Sequence, residues 1–270
     1  MCHLLKVAHL FFKKRLSCVL LIMKKILALW GVPRSTSTAF EWMMRMRGDF
    51  ECFHEPFGEV WYQGEDPLWP RVTEDSLRTP GLTYETCWQN LKDASSKKPV
   101  FIKDFPLYLD PVLSDDFLSN FNHSFLIRDP LKTLTSMYQK WPDFHEKEIG
   151  FIEQRELFDI LCDLNGSPPP VIDSDDLLEN PFEMVKLWCE AVGITFLPEA
   201  LSWEPGSRDE VSWWDGGSFH ENLRNSDGLK KQPRKVVSLE ESPKRVKEVY
   251  ENIRPHYEHL ASHRIILKNH

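Results

Sequence analysis

The first 22 residues hold no apolar run long enough to cross a bilayer. The longest there, Cys18 to Met23, falls far short of the ~20 residues that a spanning helix needs, so no stable membrane insertion is expected. Positive charge is not in excess either. Lys and Arg total 33 against 41 Asp and Glu, a net charge of −8. That excludes a general nucleic-acid binder, which needs a basic face, but leaves room for a small anion held by a few arginines. The six cysteines, Cys2, Cys18, Cys52, Cys87, Cys162 and Cys189, are scattered with no C-x-x-C pair. A disulfide framework and a zinc site are therefore not expected, and the thiols read as free in a reducing cytoplasm. There are no internal repeats, and no linker divides the chain. The phosphate-loop signature G-x-x-x-x-G-K-[ST] is also missing, as is a clear Mg²⁺-holding Asp after a strand.

What is present is an alternation of apolar runs and helical stretches. Strands are predicted at 26–30, 49–53, 99–104, 123–129 and 168–174. They are rich in Ile, Leu, Val and Phe without clean alternation, as when both faces of a sheet are covered. Helices are predicted over Thr38–Arg47, Thr83–Ala94, Leu131–Lys140, Glu146–Leu164, Pro181–Val192 and Glu240–Ser262. Gly193 stands where a helix would end. The pattern predicts an α/β fold with a mainly parallel central sheet flanked by helices. Ligands of such sheets bind beyond the carboxyl ends of the strands. Three polar clusters fall there: "GVPRSTST", "KDFP" and "RDPLKTLTS". Residues 64–80 read as a long loop. Residues 202–235 read as a second, of the length that lids have.

Residues 1–22 read as an N-terminal extension, and Met23 before Lys24 and Lys25 offers an alternative start. The domain is expected to span 23–265.

After the first strand, Gly31 opens a loop with Pro33, Arg34 and four hydroxyls, Ser35, Thr36, Ser37 and Thr38. A helix N-terminus at that place is an anion site. Arg34 can grip two oxygens with its planar fork. The stretch "GVPRSTSTAF" resembles the loop by which sulfotransferases bind the 5′-phosphosulfate of 3′-phosphoadenosine 5′-phosphosulfate (PAPS). Thr36 stands where that family usually has Gly, which predicts a stiffer loop or a different backbone angle. A second stretch, "FLIRDPLKTLTSMY", resembles the family's 3′-phosphate motif, an R-D-P followed by a Ser eight residues after the Arg. Here the pair is Arg128 and Ser136. Pro130 suits the first turn of a helix, and Ser136 then lies about one and a half turns along it.

The resemblance covers roughly residues 25–260. It implies a P-loop NTPase-like three-layer fold, PAPS as sulfuryl donor, no metal, and a hydroxyl acceptor that is a small molecule or carbohydrate. For the general base it points to Glu55 in "CFHEPFGEVW", at the place of the catalytic Glu of tyrosylprotein sulfotransferases. His54 is the rival base, and neighbouring positions allow the two to face opposite sides. In "FIKDFP", Lys103 is expected to stabilise the sulfuryl group and Asp104 is a candidate second carboxylate. Cytosolic sulfotransferases carry their catalytic His at this strand exit, and here Asp104 or Phe105 occupies its position. Arg224, Ser226, Lys230 and Lys231 are candidates for the 3′-phosphate, and Trp213 and Trp214 for the acceptor pocket. A P-loop phosphotransferase and a non-catalytic nucleotide-binding relative remain as alternatives.

Overall fold

The computed structural model describes residues 26–213, 221–231 and 237–267. The expected N-terminal extension, Trp214 and the last basic residues of the 224–235 stretch lie outside them.

Five strands form one sheet: β1 (Ile26–Trp30), β2 (Glu51–His54), β3 (Val100–Asp104), β4 (Phe121–Ile127) and β5 (Val171–Asp173). All are parallel, in the order β2-β3-β1-β4-β5. Every residue of β1 and of β3 is buried, which explains their unbroken apolar character. The exceptions are Lys103 and Asp104, two fully buried charged residues at the end of β3.

Helices cover both faces: α1 (Ser37–Arg47), α2 (Pro56–Gln63), α3 (Tyr84–Ser95), α4 (Asp115–Leu118), α5 (Pro130–Lys140), α6 (Phe151–Asn165), α7 (Ser174–Glu179), α8 (Pro181–Val192), α9 (Glu221–Arg224) and α10 (Lys244–Ala261). One core lies under α2, α3 and α6 around Trp30, Phe57 and Phe158. A second packs α1 and α8 on the other face around Phe40 and Trp188, whose rings meet edge-on at 4.8 Å. A third joins α5 to α10 through Leu134, Met137 and Val249.

Three expectations about elements need correction. Residues 146–164 are not one helix. A short 3-10 turn at Glu146–Glu148 ends at Gly150, whose φ of 75° only glycine adopts cheaply, and α6 starts after it. Helix α2 was not expected, because Pro56 and Gly58 disguise it. Pro56 is its first residue, where a missing N–H costs nothing. The last helix begins at Lys244 rather than at Glu240, because Pro243 has a non-helical backbone and disfavours helix in the residue before it.

The chain order places β1 between β3 and β4, so the connections leaving β1 and β3 run to opposite sides. This is the topological switch point, where a crevice opens at the carboxyl ends of the strands. Each strand there delivers a polar residue at or just past its end: the 31–36 loop after β1, Glu55 after β2, Lys103 near the end of β3, Arg128 after β4 and Ser174 after β5.

Candidate active site

A cavity of about 590 Å³ opens over these strand ends. Its floor is the loop after β1, from Pro33 to Ala39. Among the described residues three non-glycines have left-handed backbones, Arg34 (φ 65°), Thr36 (φ 73°) and Glu55 (φ 47°), and all three line this cavity. Such conformations cost of order 1–3 kcal/mol each and persist where the surrounding structure enforces them. What enforces them here is visible. Arg128 donates to the Arg34 carbonyl, and Ser174 donates to the Ser35 carbonyl. With both carbonyls turned outward, the loop wraps the N-terminus of α1. Gly31 allows the close approach, since a Cβ there would come within 3.0 Å of Ser35 Oγ.

The residues expected to form an anion cradle lie close together. Arg34 Nε donates to Ser136 Oγ at 3.1 Å, 102 residues away in sequence. Arg128 is buried and lines the cavity. The two stretches read separately in the sequence thus meet in one place. Thr36 takes a left-handed angle of the kind that favours glycine, and its side chain caps no helix N–H. Ser35 Oγ is fully buried and has no hydrogen-bond partner. A donor of this kind fits a site whose acceptor is a ligand oxygen.

Of the basic stretch, Ser226, Lys230 and Lys231 line the cavity, whereas Arg224 does not. Lys230 and Lys231 are tied to Asp227 and Glu179 at the surface. Ser226 accepts from the Trp203 indole at 3.1 Å. A cation not anticipated from the sequence, Lys132 on the first turn of α5, also lines the cavity and pairs with Asp175 at 2.7 Å.

Across the cavity stands a connected set of charges. Lys103 Nζ is fully buried and pairs with Glu55 Oε1. His54 and Glu55 do not face opposite sides. The left-handed turn at Glu55 folds its side chain back, leaving Oε1 3.9 Å from His54 Nε2. Behind them lies Glu41 on α1, a residue no motif pointed to. It is fully buried, 2.6 Å from His54 Nδ1, 2.8 Å from Arg45 and 4.0 Å from Lys103. Burial alone would raise the Glu41 pKa, but His54, Lys103 and Arg45 outweigh it and hold the carboxyl down at about 2.

Asp104 plays a different part from that of a second carboxylate in the cavity. It is fully buried, its oxygens accept the backbone N–H groups of Phe57 (2.8 Å) and Phe105 (2.9 Å), and it does not line the cavity. Burial, reinforced by Glu55, pushes its pKa well above the usual carboxylate range. Its contacts hold the start of α2, and with it the Glu55 turn.

Beyond Glu55 the wall is aromatic: Tyr62, Phe105, Tyr108, Trp141 and Trp213. Trp213 donates to the His54 carbonyl at 3.1 Å, which places it beside the charged set. Among the described residues no cluster of three or more His, Cys, Asp or Glu side chains is arranged for a metal ion, and no helix is long and apolar enough to cross a membrane.

Comparison with known proteins gives the family and the fold. The sulfotransferase domain model matches residues 23–237. A curated relative, "Branched-chain-amino-acid aminotransferase-like protein 2" of Arabidopsis thaliana, is 27% identical over 206 residues, 76% of this chain and 36% of that protein. The chain thus spans about a third of that relative's length. Two solved structures share the fold. The sulfotransferase domain from the curacin biosynthetic pathway has a TM-score of 0.51 at 12% identity, covering 85% of this chain and 97% of its own. Mouse sulfotransferase SULT7A1, complexed with PAP, has a TM-score of 0.50 at 12% identity, covering 88% and 89%.

Proposed function

This chain belongs to the PAPS-dependent sulfotransferase family, and we propose that it moves a sulfuryl group from PAPS to the hydroxyl of a small-molecule acceptor. The observation that carries this reading is the division of one cavity. One side is an anion cradle of residues 33–38 and Arg128, backed by Ser136 through its contact with Arg34, and the other is Glu55, backed by the buried Lys103, under an aromatic wall.

Arg34, the four hydroxyls Ser35 to Thr38 and the N-terminus of α1 hold the 5′ end of the donor. Arg128 and Ser136 take its 3′-phosphate, with Lys132 and Lys230 adding charge at the rim. When bound, PAPS supplies the activated sulfuryl group. Glu55 takes the proton of the acceptor hydroxyl. Lys103, buried behind Glu55, neutralises it in the resting protein and stabilises from there the negative charge that builds on the sulfuryl oxygens. Tyr62, Phe105, Tyr108, Trp141 and Trp213 offer flat apolar faces, which suit an apolar or sugar-like alcohol.

Two variants separate binding from chemistry. Glu55→Gln should retain stabilisation by 3′-phosphoadenosine 5′-phosphate (PAP) and lose sulfuryl transfer. Arg128→Ala should lose the PAP response. Full transfer activity in Glu55→Gln would remove Glu55 from the role of base.

A further inference from the structure

We propose that Glu41 is a positioning residue that fixes His54 as a proton relay behind Glu55, an inference that rests on the sulfuryl-transfer reading above. Glu41 is a fully buried carboxylate on α1, just past the 31–40 stretch and part of no motif, and as a helix residue alone the position would be served better by an apolar side chain. It is ionised, so it can only accept hydrogen bonds. The 2.6 Å contact to His54 Nδ1 therefore requires the proton on Nδ1. That tautomer leaves Nε2 as the basic nitrogen, and Nε2 is the atom 3.9 Å from Glu55 Oε1. Arg45 holds Glu41 from the other side through two contacts of 3.0 and 2.8 Å, so the carboxylate cannot rotate away.

A second cavity, of about 470 Å³, gives the relay somewhere to lead. His54 borders both cavities. The second is lined by Glu59, Asp209 and Glu210, an acidic surface that accepts protons from an imidazolium. With donor and acceptor in the first cavity, His54 connects Glu55 to the second.

The steps balance as follows. The acceptor oxygen bonds to sulfur as its O–H proton passes to Glu55. The bond from sulfur to the leaving 5′-phosphate oxygen breaks, and that oxygen keeps the electron pair. Once protonated, Glu55 is released from Lys103 and its carboxyl closes the 3.9 Å gap to Nε2; the carboxyl O–H then breaks as Nε2–H forms, and the imidazolium is held by the Glu41 carboxylate. Nε2 finally gives its proton to water. The charges that face His54 are Glu41 and Arg45 from α1, Glu55 and Glu59 from the β2–α2 segment, and Lys103 from β3, with Asp209 and Glu210 across the second cavity.

The direct test is nitrogen-15 NMR of histidine-labelled protein in the absence of any acceptor. His54 should show a protonated Nδ1 and an unprotonated Nε2 at neutral pH, and Glu41→Gln should abolish that bias. A protonated Nε2 in the wild-type protein would overturn the proposal. The kinetic arm uses PAPS with 4-nitrophenol as the acceptor probe. Glu41→Gln and His54→Gln should each lower kcat by roughly tenfold to hundredfold, leave KM for PAPS within about twofold, and shift the pH profile of kcat. Wild-type kcat and pH profile in both variants would overturn it, while loss of stability alone, with an unmoved profile, would mean that Glu41 is only structural. His54→Gln keeps the test open if Glu41→Gln does not fold. Glu55→Gln separates the two ideas: if it abolishes transfer while the Glu41 and His54 variants remain fully active, the relay fails and the sulfotransferase reading stands. If the wild-type protein neither binds PAP nor turns over PAPS, the function reading itself has failed, whatever the tautomer.

Discussion

Thr36→Gly is the sharpest probe of the loop. Thr36 sits at φ 73°, ψ 6°, a left-handed conformation that a β-branched residue adopts only under constraint. The left-handed penalty for a residue with a Cβ is about 1–2 kcal/mol. Glycine removes it but adds about 0.5–1 kcal/mol of unfolded-chain entropy. The Thr36 side chain caps no N–H, so no cap is lost with it. The net expectation is a gain of about 0.5–1 kcal/mol. For a chain of this size that corresponds to a rise in Tm of roughly 1–4 °C. Scanning fluorimetry on the ligand-free protein measures it. Affinity for PAP, read by calorimetry, should fall by no more than a few-fold, because the looser loop must be ordered on binding. A Tm that drops by more than a degree would refute the claim that this loop is held in a strained shape. Arg34 is the internal control. It has φ 65°, but its side chain holds Ser136 at 3.1 Å, so Arg34→Gly should weaken PAP binding strongly even as strain is relieved.

Other expectations concern the same site. Arg128→Ala removes a buried guanidinium that also pins the loop. It should weaken PAP binding by roughly 10- to 150-fold, the equivalent of one or two charged hydrogen bonds, in a calorimetric titration. Gly58→Ala should destabilise the protein by about 1–3 kcal/mol in urea unfolding and impair the acceptor side, because the new Cβ would meet the Tyr108 ring at 2.7 Å. The depressed Glu41 pKa has a sign that can be checked. Its folded value of about 2 lies below the ordinary 4.5, so the carboxylate contributes stability that is fully present above about pH 4.5 and disappears as pH falls toward 2. That contribution is on the order of 3 kcal/mol, and Glu41→Gln should flatten the acid limb of a stability-against-pH curve. An unchanged acid limb would contradict the assignment.

The sheet was legible because fully buried strands carry an unmistakable apolar signature, and β1, β3 and β4 lie within a residue or two of their expected positions. Ligand-binding loops were legible because their chemistry is local: the hydroxyl run follows β1 and Arg128 follows β4 directly. What escaped the sequence depends on long-range contacts. Helix α2 is short, and its Pro56 and Gly58 look like loop residues until Asp104 caps it from 47 residues away. Glu41 looked like one polar position in the amphipathic helix "STAFEWMMRMR". The available signal was that it sits one residue after Phe40 and three before Met44, on the apolar face. A carboxylate there must be paired, and only the fold shows that its partners are His54 and Lys103. Asp104 shows the converse, a polar residue at a strand exit that supports the backbone rather than facing the cavity.

The central claim, that this cavity is built for a 3′-phosphorylated adenosine nucleotide carrying a sulfuryl group, is tested most directly by parallel titrations followed through thermal stability. PAP and PAPS should raise Tm in a concentration-dependent way with no added metal, and ATP with Mg²⁺ should do so weakly or not at all. A clear preference for ATP–Mg²⁺, or an equal response of the Arg128→Ala variant to PAP, would contradict it.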